Sequence, residues 1–203
     1  ILRLYDDAFD AWDTYIGYIG SDASVLQASR AMEFNDGFAA GIEFEYKFGD
    51  SRLVQRVSVQ ENSRTLRFDH RAEWRETKKM LRADFYPVIF ADEATFDIQF
   101  GSVKRSMSEN NSHEGAQFEV SAHKWVDMSE RDYGVALLND CKYGYRAKNG
   151  LISINLLRSQ MYPCVDQDKG EHEFAYALLP HAGDVYGGSV AKEAYAMNRP
   201  LRL

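Results

Sequence analysis

The chain has 203 residues, of which 45% are hydrophobic and 13% aromatic, the make-up of an ordinary globular domain with enough length for a substantial core. A net charge of -7 and a pI near 5.3 disfavour a phosphate-binding surface, so nucleic acid is not an expected partner. No apolar stretch approaches a membrane span and no secretory leader opens the chain, and the two cysteines, Cys141 and Cys164, have neither metal-ligand spacing nor disulfide-framework density, so reduced thiols in the cytoplasm are the expectation.

In chain order, an Ile1-Leu2-Arg3-Leu4 strand leads into Asp6, Asp7, Asp10 and Asp13 interleaved with Phe9, Trp12 and Tyr15. Such an Asp/Trp cluster fits a sugar-facing loop or a segment packed between domains, and packing is the expected role. Val25–Arg30 reads as a strand. Ile42, Phe44, Tyr46 and Phe48 then alternate with charged residues, Asp50-Ser51 is the turn, and Leu53–Gln60 returns. The clearest period of two lies at 65–75. Leu66, Phe68, His70, Ala72 and Trp74 share the apolar parity, and Arg67, Asp69, Arg71, Glu73 and Arg75 form a solvated face of alternating sign. His70 is expected to be a hydrogen-bonded core histidine.

Strands follow at 80–90, with Pro87 marking an edge or bulge, and at 94–101, with Phe96, Ile98 and Phe100 inward. Residues 102–116 are polar and rich in breakers, a long loop. A strand at 117–123, a loop at 124–132 and an apolar strand at 133–138 come next, and the last ends in the polar-aromatic patch Asn139, Asp140, Lys142, Tyr143 and Tyr145. The Lys148-Asn149-Gly150 turn joins that region to a strand at Leu151–Arg158, 161–170 is loop, 171–179 is strand, and 189–198 is the single convincing helix. More than ten short strands with antiparallel alternation predict an all-β fold, a large antiparallel β-sandwich with one short helix near the C-terminus. Both ends read as strands, at Ile1-Leu2-Arg3-Leu4 and Leu201-Arg202-Leu203, so residues 1–203 are expected to be a single sandwich segment of a longer multidomain enzyme.

The run Ala122-His123-Lys124-Trp125-Val126-Asp127 through Asn139-Asp140-Cys141-Lys142-Tyr143-Gly144-Tyr145 resembles the α-mannosidases of glycoside hydrolase family 38, in the part after their catalytic barrel. The likeness continues through Leu156–Ser159, His172–His181 and Ala194–Asn198, and upstream it includes Tyr5-Asp6-Asp7, Ala11-Trp12-Asp13 and Phe96–Gly101. It implies a mutarotase-like supersandwich that packs against an N-terminal catalytic barrel. The intact protein would be a retaining α-mannosidase acting on a mannoside or oligosaccharide. In that family the nucleophile and a divalent metal, usually zinc, belong to the barrel, so no catalytic or metal-ligating residue carries over to this chain. Self-association into a homo-oligomer is left open.

On the same resemblance, loops of the sandwich approach the sugar site or the barrel. The residues expected on that substrate or inter-domain face are His123, Lys124, Trp125, Asp127, Asn139, Asp140, Lys142, Tyr143, Arg158 and His181. Trp125 and Asp127 would lie on an exposed or mobile loop, and the competing role for Asn139, Asp140, Lys142 and Tyr143 is a polar network that closes a strand end. Two rival readings remain. A stand-alone carbohydrate-binding module would stack sugars on Trp12, Trp125 and nearby tyrosines exposed in one concave face, and a sandwich acting as an epimerase would need a facing pair such as His172 and Glu119.

Overall fold

A computed structural model describes residues 1–7 and 10–199, so Phe9 and the terminal Leu201-Arg202-Leu203 run lie outside the described residues. Two antiparallel sheets face each other. In spatial order the smaller contains β10 (Val120–Ser121), β13 (Gly144–Lys148), β14 (Leu151–Ser159), β7 (Lys79–Phe85), β1 (Leu2–Asp6) and β2 (Ser24–Val25). The larger contains β3 (Ala28–Asn35), β4 (Ala39–Phe48), β5 (Ser51–Gln60), β6 (Leu66–Trp74), β15 (Gly170–Ala182), β12 (Tyr133–Asn139), β11 (Trp125–Ser129), β8 (Glu93–Ile98) and β9 (Gly101–Ser106). This is the expected sandwich.

Alternation decides which side chains meet between the sheets. Leu53, Ala72, Trp74, Phe96, Val126, Met128, Leu137, Phe174 and Tyr176 from the larger sheet pack onto Leu81, Ala83, Tyr145, Ile152 and Ile154 from the smaller. A second, smaller core lies on the outer side of the larger sheet. There the helix α2 (Val190–Asn198) seats Val190 and Ala194 on Trp125, Ala136, Leu138, Ala177 and Leu179.

Several local expectations change. Val25–Arg30 is not one strand: Leu26 and Gln27 cross between the sheets, separating β2 from β3. The β4–β5 turn is Gly49-Asp50, with Ser51 already in the strand. β7 stops at Phe85, before Pro87, and Phe100 sits at a turn with φ 60°, fully in solvent rather than inward. The supposed loop 102–116 contains most of edge strand β9 and the short helix α1 (Ser112–Ala116), capped where Asn111 Oδ1 accepts from Glu114 N at 3.0 Å. The Asn-x-x-Glu spacing is a helix-start signal that the breaker-rich composition hid. The 117–123 strand shrinks to β10, and the 124–132 loop is mostly β11, because Val126 and Met128 face the inter-sheet core while Trp125 faces α2. The Asn149-Gly150 hairpin is as expected, with φ of 52° and 79°.

His70 is buried at 3% exposure, stacks on Phe174 at 4.7 Å and has Nε2 2.9 Å from Gln55 Nε2, so the neutral ring accepts from the amide. Burial holds its pKa down at about 4. The unfolded chain, with an ordinary imidazole near 6.5, then binds a proton that the folded chain refuses as pH falls from about 6.5 to about 4, so this residue destabilises the fold across that window. Below it the loss should reach about 3 kcal/mol, and urea unfolding of wild type and His70→Leu at pH 7 and pH 4 checks the difference. An equal pH slope in both proteins would contradict the assignment.

Candidate functional site: a polar cleft at the strand ends

The approach to β11, the exit of β12, the approach to β13 and the last turn of α2 converge at one end of the sandwich. They enclose a cleft of about 240 Å³ lined by His123, Lys124, Asn139, Asp140, Tyr143 and Asn198. That volume lies just below the usual range of small-molecule sites, about 300–1,000 Å³, and is on the scale of a single sugar ring. Asn139 builds the floor. It is 1% exposed, its Nδ2 donates to His123 O at 2.6 Å and, in a short bond, to Tyr145 Oη, and its Oδ1 accepts from Lys142 N at 2.6 Å. Asn198 Nδ2 donates to Asn139 O at 2.8 Å, which ties the helix end to the same floor.

Internal contacts hold the walls. Lys124 lies with Nζ 3.6 Å from Asp97 Oδ2 and 4.8 Å above the Tyr195 ring, and its backbone N donates to Asp97 Oδ2 at 3.0 Å. The His123 ring meets Tyr143 edge-on at 5.8 Å. Asp140 Oδ2 accepts from Ala175 N at 3.0 Å and lies on the ridge between this cleft and a broad furrow. Burial first, and Asp140 second, push the Cys141 thiol up to about 12, so it stays protonated and unreactive near neutral pH. Burial also lowers the Lys142 pKa, and its Nζ lies 4.5 Å over the Phe174 ring, away from the cleft.

Five of the ten residues expected on one face thus line one cleft: His123, Lys124, Asn139, Asp140 and Tyr143. The others do not join it. Trp125 is 5% exposed beneath α2, so the expectation of an exposed or mobile 124–132 loop is corrected. Asp127 and His181 are also interior, with Asp127 Oδ1 2.7 Å from His181 Nε2 and Ser129 Oγ donating to Asp127 Oδ2. Burial raises the Asp127 pKa against those bonds. The imidazole fits between Gly134 and Gly188, where an added methyl carbon would come within 2.4 Å and 2.3 Å of the ring. Arg158 belongs to the smaller sheet and is engaged by Asp7. Local pattern gave no sign of Asn198 or Tyr195, which reach the site only because α2 folds back over β12.

The rival constellations do not form. Glu119 Oε1 is taken by Arg82 Nη1 at 2.8 Å and by Tyr18, whereas His172 Nε2 sits 2.7 Å from Asp168 O, so they are not a facing acid–base pair. Trp12 is 68% exposed but Trp125 is buried, so the two share no stacking face. The furrow across the outer side of β4, β5, β6 and β15 holds about 1180 Å³, and its charges match one another across it, as in Arg56–Glu43, Arg67–Asp69 and Arg71–Glu173. Among the described residues no group of three or more His, Cys, Asp or Glu side chains could hold a metal ion, and no helix is long and apolar enough to cross a membrane.

Residues 1–166 match the model of the glycosyl hydrolases family 38 C-terminal domain. The chain belongs to this family. Alpha-mannosidase G of Dictyostelium discoideum is 38% identical over 97% of the chain, and human Alpha-mannosidase 2C1 is 37% identical over 98%. The chain spans only 19% and 20% of those relatives' lengths. Among solved structures, an alpha-mannosidase from Enterococcus faecalis V583 superposes with a TM-score of 0.84 at 13% identity, covering 98% of this chain and 27% of that one. At that identity the match speaks for the fold alone. This family 38 C-terminal domain therefore corresponds to the sandwich portion of much longer proteins.

Proposed function

We propose that this chain serves as the C-terminal sandwich of an α-mannosidase, with the whole of residues 1–203 acting as one structural unit. In this reading its polar cleft faces the catalytic barrel and the mannoside or oligosaccharide bound there. One observation carries the proposal: in a chain that belongs to a family of C-terminal domains, His123, Lys124, Asp140 and Tyr143 converge on a sugar-sized cleft at the strand ends. Sites on rigid scaffolds are commonly placed at such ends. In this reading the carboxyl pair that cleaves a glycosidic bond and a divalent metal, zinc or another, are supplied by the barrel. Two unpaired thiols support a cytoplasmic setting.

The purified 203-residue chain should not hydrolyse an aryl α-mannoside, with or without added zinc. In the intact enzyme, replacing both Asp140 and Tyr143 by Ala should lower kcat/KM on the order of tenfold, because a site assembled across two domains is sensitive to small misplacements. Tyr143 is exposed, but losing the Asp140 carboxylate removes the acceptor of Ala175 N, so the double variant should lose about 1–3 kcal/mol while staying folded under assay. Turnover by the chain alone, or full activity in the double variant, would refute the reading.

A further inference from the structure

A second polar arrangement lies away from the cleft, under the loop that leads into α2. His181 Nε2 is 2.7 Å from Asp127 Oδ1, and the two side chains are 0% and 2% exposed. Ser129 Oγ donates to the other Asp127 oxygen, so the carboxylate is held at both ends. The imidazole lies against Gly134 of β12 on one side and Gly188 of the loop on the other, where an added methyl carbon would come within 2.4 Å and 2.3 Å of the ring. The ring is therefore a spacer of fixed thickness between sheet and loop. That loop is stiff. Asp184 Oδ1 accepts from Tyr186 N at 3.1 Å and from Gly187 N at 2.9 Å, and Asp184 O accepts from Gly188 N at 2.8 Å. Arg64 Nη2 braces it from outside, 3.4 Å from Gly188 O and 3.6 Å from Glu193 Oε1. α2 begins two residues after Gly188 and runs about 13 Å to the cleft. There Asn198 Nδ2 donates to Asn139 O at 2.8 Å, and Lys124 Nζ lies 4.8 Å from the Tyr195 ring. Of the nine helical residues only Val190 and Ala194 are buried, so apolar packing alone seats the helix weakly.

We propose that Asp127 and His181 are positioning residues for the cleft: the imidazole sets where Gly188 lies over the sheet, and α2 carries that setting to Asn198 and Tyr195 at the cleft wall. Neither side chain touches the cleft. His181 pairs with Gly134, at the opposite end of β12 from Asn139 and about 17 Å along the strand. Stability does not account for the pair, because apolar residues of similar volume usually fill such a space at least as well, and each flanking glycine carries an entropic penalty. What a hydrogen-bonded ring between two glycines supplies is one fixed distance and one fixed direction. The part the cleft plays in turnover rests on the α-mannosidase reading; the coupling of the pair to α2 does not.

Trp125 is a built-in reporter, because it lies in the cluster that α2 covers. In the 203-residue chain carrying Trp12→Phe, the remaining tryptophans Trp74 and Trp125 are 0% and 5% exposed, so acrylamide quenching reads α2 leaving its seat. His181→Leu alone would strand a buried carboxylate, so the informative variant is Asp127→Leu with His181→Leu, which keeps the space apolar and the chain folded. Its urea midpoint should stay near wild type, while quenching rises roughly twofold and exchange of the Arg199 N–H, bound to Tyr195 O, speeds up roughly tenfold. His181→Gln keeps a planar donor within reach of Asp127 and should behave as wild type. Gly188→Ala leaves the pair intact but pushes a methyl group into the ring, and should raise quenching in the same direction. In the intact enzyme the double leucine variant should raise KM about fivefold with kcat within about twofold, whereas a mere loss of folded protein would lower kcat and leave KM alone. Unchanged quenching in the folded double variant or in Gly188→Ala would overturn the coupling. His181→Gln behaving like the double variant would assign the effect to volume, and an unchanged KM would separate the pair from the cleft; either overturns the proposal. Failure of the α-mannosidase reading shows separately, as full activity after loss of Asp140 and Tyr143.

Discussion

Trp74→Ala should cost about 3–5 kcal/mol, the usual price of deleting a large aromatic from a packed interior. Trp74 is 0% exposed at the end of β6, part of the core between the sheets, with its ring 6.0 Å from Phe48. Removing it leaves a cavity between elements that are hydrogen-bonded on both sides, β6 lying between β5 and β15, so the backbone cannot collapse to fill it. For a chain of this size the melting temperature should fall by roughly 10–15 °C. The indole Nε1 is buried without a hydrogen-bond partner, so Trp74→Phe should lose far less: it discards an unsatisfied donor while keeping most of the ring. A loss below about 1 kcal/mol in the alanine variant would place Trp74 outside the core.

Glu119→Ala should be comparably damaging for an electrostatic reason. Arg82 is 1% exposed on the smaller sheet, 2.8 Å from Glu119 Oε1 and 2.9 Å from Ser153 Oγ, and its guanidinium lies 5.3 Å from the Tyr18 ring. Tyr18 closes the network with a short bond to Glu119, which fixes the 3-10 turn Ile16–Gly20 over the sheet. Burial and the neighbouring carboxylate push the Tyr18 pKa up, so the hydroxyl remains a donor. Deleting Glu119 strands a buried cation, at a cost of about 3–5 kcal/mol. Arg82 Nη2 already lacks a partner, however, so the pair is not an ideal one and its net contribution is small. The double variant Arg82→Met with Glu119→Leu should therefore recover most of the loss, giving a coupling energy above about 2 kcal/mol in a double-mutant cycle. Additive losses would show that the two side chains do not act as a pair.

The sandwich was legible in the sequence wherever one face of a strand is buried and the other wet. β5 and β6 have that character, and the alternation at 65–75 marks Ala72, Trp74 and His70 as interior without any tertiary knowledge. The Asn149-Gly150 turn and the helix Val190–Asn198 were equally plain, because turn chemistry and helical composition are local. Family membership was carried by the long run through 122–145, whose residue choices are too particular to arise from periodicity.

What the sequence could not supply was anything set by a second covering layer. Trp125, Asp127 and His181 stand on the parity of β11 and β15 that would face solvent in a two-layer sandwich, whereas in sequence 124–132 reads as a loop and the family resemblance puts all three on an open face. α2 and the loop before it cover those positions, turning Trp125 into a floor for Val190 and Ala194 and shutting the Asp127–His181 pair indoors. The same covering creates the cleft, since Asn198 meets His123 and Asn139 only when the helix lies across β12. Strand parity is a local property of a pleated backbone, whereas which parity is dry depends on what lands on the sheet, and only the tertiary structure decides that.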